Sequence, residues 1–266
     1  MGDDMVNSSG FILTDRSGAT GRIVIARPER RNALKSEMYA EIAAALRAFE
    51  ADPAVHVVTL EGLGKDFCAG NDIGDFRAFG DVVEQTGLDP QSIVGRQTPS
   101  IDVVYVMMEM AKPLLAAVQG NAIGFGATML LHCDVVVVDA TARMKFPFVD
   151  LALVPEAGSS LLLRERMGFA KAAEVLFTGG AVDARDAVAF GLATELVAEG
   201  EAGPRLAQIA DLLSRKPPVA LQATKRLLKR DPEPLSARVE EEFRVIAERT
   251  SSAEAQAVFA AMVKKK

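Results

Sequence analysis

Hydrophobic positions along the chain alternate between strand and helical spacing before settling into one rhythm. Residues 11–14 and 21–26 carry apolar side chains at strand spacing around a polar turn at 16–18, which predicts a hairpin. Met38, Ile42, Leu46 and Phe49 then recur at near-helical spacing behind Ser36, a residue able to cap a helix, and Asp52-Pro53 ends the run. A strand is expected over 55–60, followed by a glycine-opened loop holding FCAGND. Residues 75–100 have little periodicity and read as a surface segment, and a helix over 101–111 follows. Segments 114–118 and 135–138 are continuous apolar runs, as expected of strands covered on both faces. Between them GNAIGFGATM leads into a helix.

From Pro155 onward the pattern is almost wholly helical, with helices predicted over 156–167, 171–177, 183–190, 205–214, 219–229, 235–249 and 253–263. Strands alternating with helices, then helices alone, imply an α/β core over 1–200 and a helical region over 201–266.

Composition narrows the function. The 266 residues, 49% hydrophobic and 25% charged, suit a well-packed globular chain. A net charge of -6 argues against a nucleic-acid partner, which needs a broad basic face, but not against an anionic group held by a few local arginines. Two cysteines, Cys68 and Cys133, cannot build a disulfide framework and point to a reducing compartment. Two histidines, His56 and His132, leave no His-rich metal cluster, so no metal is expected. The opening MGDDMVNSSG lacks the basic and apolar parts of a secretory signal. Apolar runs are broken well short of membrane-spanning length, so the expected location is cytoplasmic, without a membrane partner.

The glycine-rich turn at 120–129 invites a dinucleotide reading, but Met129 stands where the third glycine of that fingerprint belongs. GLGKD at 62–66 lacks the spacing and hydroxyl residue of a phosphate loop. What survives is narrower. A glycine turn feeding a helix can aim free backbone N–H groups at one point, and Ala69-Gly70-Asn71-Asp72 forms a second such turn. Two such turns can hold one oxygen between them; equally, their glycines can serve tight turns and close packing alone.

Together RPERRNAL (27–34), FCAGNDI (67–73), KPLLAAVQGNAIGFGATMLLHCD (112–134) and LALVPEAGSS (151–160) resemble, in order and spacing, the crotonase or enoyl-CoA hydratase/isomerase superfamily. The resemblance implies a spiral of ββα turns with a C-terminal helical trimerisation region, an acyl-CoA thioester substrate, and a homotrimer or dimer of trimers. It implies an oxyanion hole from the backbone N–H groups of Asn71 and Phe125, whose loss typically costs roughly 3–4 kcal/mol of transition-state stabilisation per donor. It places Arg31, Ala33 and Leu34, with Ala69, Asp72 and Ile73, along coenzyme A, which belongs to the substrate, so no separate cofactor is expected. Phe76, Thr128, Phe148 and Leu153 fall in the implied acyl pocket.

Hydratases of this superfamily use two glutamates, and the matching positions here are Thr128 and Phe148, neither able to move a proton at neutral pH. A carboxylate stands instead at Glu156, as in the Δ3,Δ2-enoyl-CoA isomerases, to which the segment is most similar. One base can carry a proton from C2 to C4. A glutamate after proline at a helix start is also favourable through the helix dipole, which would weaken it as a base, whereas an apolar pocket would strengthen it. Asp72 suits a loop-organising role, Asp150 is a lesser candidate acid, and His132 reads as a packed core residue. The expected activity is therefore conversion of 3-enoyl-CoA to 2-trans-enoyl-CoA. A hydratase or other crotonase reaction, a non-catalytic acyl-CoA binder and, distantly, a nicotinamide enzyme remain as alternatives.

Overall fold

The computed structural model describes residues 5–6, 10–74, 98–229 and 232–264. Phe76 and most of the 75–100 segment lie outside the described residues.

β2 (Ile12–Ser17) and β3 (Thr20–Ile25) form the hairpin that the apolar spacing predicts, and β1 (Met5–Val6), which it does not, pairs antiparallel with β2. Helix α1 (Ser36–Ala51) crosses over to β4 (Val57–Gly62), which lies parallel to β3 with Ile23 opposite Leu60. Lys35, in extended conformation, occupies the N-cap of α1, so Ser36 is its first helical residue rather than its cap. Helix α2 (Pro99–Glu109) packs on α1 and leads to β5 (Leu114–Val118), then β6 (Asn121–Ile123) and the single turn α3 (Phe125–Thr128). The next circuit repeats the theme with β7 (Val135–Asp139), β8 (Arg143–Lys145) and α4 (Ser159–Thr178). β9 (Ala181–Asp183), α5 (Ala184–Ala189) and β10 (Glu195–Val197) complete it.

β1 to β5, β7 and β10 make one seven-stranded sheet in the order 1-2-3-4-5-7-10, while β6, β8 and β9 make a second sheet of three. Successive circuits thus give strands to both sheets, which winds the chain into a spiral. Along β5, Leu114, Ala116 and Val118 face the main core. Leu115 and Ala117 face a smaller cluster with Val57 and Val137, closed by Ala202, Leu206 and Ala210 of α6 (Ala202–Ser214). Burial on both faces explains the unbroken apolar run.

The helices predicted over 156–167 and 171–177 are the two halves of α4, separated by the non-helical backbone of Gly168 (φ 76°, ψ 162°); the first starts only at Ser159. Glu156 precedes that helix because Ala157 (φ 55°) and Gly158 (φ 72°) both take left-handed conformations. Beyond α7 (Pro218–Leu228), helices α8 (Pro232–Thr250) and α9 (Ala253–Lys264) fold back onto the core, burying Val239, Phe243, Ala255 and Phe259 within the chain itself.

Candidate active site

The segment 27–34 and the loop 63–72 are laced together by one asparagine. Asn32 sits at φ 57°, a left-handed conformation that asparagine tolerates better than most residues. Its side-chain amide donates to the carbonyls of Leu63, Asp66 and Phe67 at 3.0, 2.8 and 3.2 Å, and its oxygen accepts from the Arg27 N–H at 2.8 Å. Arg27 is buried, and its guanidinium donates to Ala33 O at 2.9 Å and Asp72 Oδ2 at 2.8 Å. Burial by itself would raise the Asp72 carboxyl, but hydrogen bonds from Arg27 and the Gly74 amide, with the nearby positive charge, hold it below the ordinary carboxylate range. Asp72 is a strut of the loop.

The six positions expected along coenzyme A meet on this cradle. Ala69 N–H donates to Arg31 O at 2.9 Å, Leu34 N–H to Gly70 O at 2.8 Å and Asp72 N–H to Leu34 O at 2.8 Å. The Arg31 side chain is exposed, Leu34 is fully buried, and Ala33, Ala69 and Ile73 are half-buried.

Backbone alternation orients the next amide. The parallel bridge from Leu34 to Asn71 uses Gly70 O and Asp72 N–H, so the Asn71 N–H faces the opposite edge. That edge belongs to β6: Cys68 N–H donates to Asn121 O at 3.0 Å and Ile123 N–H to Cys68 O at 2.9 Å. Beyond this pairing α3 begins, and the N–H of its first residue, Phe125, has no carbonyl within the helix to meet. The two turns approach closely. A Cβ placed on Gly70 (φ 82°) would lie 2.5 Å from Ile123 O and 3.4 Å from Phe125 N, so only glycine permits the approach. Tyr39 braces both turns: its hydroxyl donates to Asn71 Oδ1 and its ring stands edge-on to Phe125, with centroids 4.8 Å apart.

Asn71 and Glu156 line the same cavity, of about 130 Å³, whose walls are largely apolar: Leu34, Tyr39, Pro99, Ile101, Phe243, Ile246 and Ala247. Glu156 is 3% exposed, and its Oε1 has no hydrogen-bond partner. Burial, and secondarily the charge of Glu242, pushes its carboxyl up to about 8. The apolar pocket therefore outweighs any helix dipole. Thr250 Oγ1, fully buried in the same wall, also lacks a partner.

Thr128, Phe148 and Leu153 are buried and are not among the residues lining this cavity: the Thr128 hydroxyl donates to Phe125 O at 3.3 Å, and Leu153 N–H donates to Phe148 O at 2.8 Å. Cys68 is buried, its thiol pushed up to about 12, which leaves it protonated. Sequence reasoning missed Arg27 and Asn32 as organisers, Tyr39 as brace, and the 243–250 stretch as cavity wall. Tyr39 left a signal, lying on the helix shoulder beside Met38 and Ile42, and so did Phe243 and Ile246, which recur at helical spacing with Leu235 and Val239.

This two-sheet spiral with a helical C-terminal region is the crotonase fold. The chain belongs to the enoyl-CoA hydratase/isomerase family, whose model matches residues 15–266. It is 34% identical to enoyl-CoA delta isomerase 2 of Rattus norvegicus across 93% of this chain and 61% of that longer protein. It is 30% identical to the enoyl-CoA hydratase EchA19 of Mycobacterium tuberculosis across 84% of this chain and 82% of that one. A crystal structure of an enoyl-CoA hydratase/isomerase from Pseudoalteromonas atlantica superposes with a TM-score of 0.86 at 32% identity, covering 96% and 98% of the two chains.

Proposed function

We propose that the protein is an acyl-CoA isomerase that converts 3-enoyl-CoA to 2-trans-enoyl-CoA with Glu156 as its single base. One observation carries the reading: a buried carboxyl with an unpartnered oxygen opens on an apolar cavity beside Asn71. The ionised Glu156 takes a proton from C2, and the electron pair moves toward the thioester oxygen, giving a dienolate. The Asn71 and Phe125 N–H groups donate to that oxygen as its charge grows. Glu156 then returns the proton to C4, the double bond settles between C2 and C3, and no atom is gained or lost. A carboxyl pushed up to about 8 is a stronger base, once ionised, than an exposed glutamate.

A hydratase needs a second acid to activate water. Among the described residues, the other carboxyl lining the cavity is Asp72, which is committed to Arg27. Coenzyme A enters as part of the substrate along the 31–34 and 69–73 segments, and the chemistry calls for no further cofactor. The exposed Phe169, Phe177, Val219 and Leu228 offer apolar surface for a homotrimer or dimer of trimers.

Purified protein is expected to form conjugated 2-trans-enoyl-CoA from 3-enoyl-CoA, and Glu156→Gln to lose at least about 100-fold of that rate. An unchanged rate in the variant removes Glu156 as the base. Rapid loss of absorbance on adding 2-trans-enoyl-CoA would instead favour hydration.

A further inference from the structure

The turn carrying Glu156 is held from two sides. On one, the buried His132 ring meets Ala157 O through Nε2 at 2.8 Å; burial pushes this imidazole down to about 4, so the ring is neutral and its N–H donates. On the other lies Glu242 of α8, only 5% exposed. Gly158 N–H donates to its Oε2 at 2.6 Å, while the N–H and hydroxyl of Ser160 donate to its Oε1 at 3.1 and 2.5 Å. The N-cap of α4 is Gly158, which has no side chain, so its cap comes from α8 instead. Glycine suits that position as well, because its backbone takes φ 72°, which L side chains rarely adopt.

We propose that Glu242 is a positioning residue acting through Glu156: its carboxylate ties the turn after the base to α8 and sets a second acidic group beside it. This role rests on Glu156 being the base. A cap alone would be served by a neutral serine or asparagine. A buried carboxylate adds negative charge, and its repulsion makes Glu156 hold its proton to higher pH. Burial raises Glu242 itself, but the three donors from Gly158 and Ser160 and the charge of Arg238 favour its ionised form. The neighbouring His132 is neutral, and Asp72 is paired with Arg27.

The test is Glu242→Gln, which keeps the size and one acceptor oxygen but removes the charge. Glu156 is titrated by ¹³C NMR of protein labelled at glutamate side-chain carboxyls, its signal assigned by its loss in Glu156→Gln. The pH dependence of kcat is recorded with 3-enoyl-CoA. The Glu156 midpoint is expected to fall by at least about half a pH unit. The rising limb of kcat moves with it, while KM changes less than about twofold, since the coenzyme A cradle does not touch Glu242. Ser160→Ala, at a half-buried position, gives a milder arm: it removes the hydroxyl that helps keep Glu242 ionised and shifts the midpoint the same way. A folded Glu242→Gln or Ser160→Ala protein with an unmoved midpoint overturns the proposal. Activity surviving in Glu156→Gln removes Glu156 as the base instead, and the NMR midpoints then still decide whether Glu242 acts on its neighbour.

Discussion

Replacing Glu156 with glutamine is expected to abolish turnover and stabilise the fold, and pH should control how much. A carboxyl ordinarily ionises near 4.5, whereas Glu156 stays protonated to about 8 in the folded chain. Between those values the folded state binds more protons than the unfolded state, so stability falls as pH rises across that window and levels off above it. Glutamine carries no proton to lose. Its advantage over the wild type should therefore be small at pH 4, about 3 kcal/mol at pH 7 and about 5 kcal/mol at pH 9, as upper figures that water entering the cavity reduces. Denaturant unfolding of both proteins at a series of pH values reads the difference directly. Parallel stability curves from pH 4 to 9 would refute the reasoning, because a carboxyl that titrates alike in both states cannot be a desolvated acid.

Two other substitutions test the scaffold. Gly70→Ala forces a Cβ to within 2.5 Å of Ile123 O at a backbone φ of 82°, which should part the Asn71 and Phe125 turns. Steady-state kinetics should then show kcat lowered about 100-fold or more with KM little changed. Arg27→Met leaves Asp72 without its partner and should destabilise by about 2–4 kcal/mol, less than a fully buried pair because Asp72 is partly solvated. Unfolding measurements should also find part of that loss restored in the Arg27→Met, Asp72→Asn double variant.

Much of this architecture was legible in the chain because its strongest signals are local. The doubly buried β5 and β7 announce themselves as apolar runs, and the stripe of Met38, Ile42 and Leu46 fixes α1. The second sheet left no such trace: β6, β8 and β9 are three residues each, too short for any period to show. Glu156 was visible through its motif, but the contest between helix dipole and apolar pocket was not, since it turns on where α4 starts. Two left-handed residues, Ala157 and Gly158, decide that, and no periodicity encodes them. Nothing in the sequence sets Arg27 apart from Arg30, Arg31 and Lys35; its burial depends on Phe11 and Asp72, neighbours only in the folded chain. The stripe holding Phe243 and Ile246 is visible at helical spacing, but its place beside Glu156, like that of Glu242, is set by tertiary packing alone.

That wall has a bearing on the order in which the protein is made. Residues 34, 71 and 156 leave the ribosome long before residues 243–250, which complete the enclosure around them. A nascent chain can wind its sheets early, yet it must hold a greasy, half-open trough until the penultimate helix arrives. Over that interval the acid stays wet and ordinary. It becomes an unusual one only when the last part of the polypeptide shuts out the water.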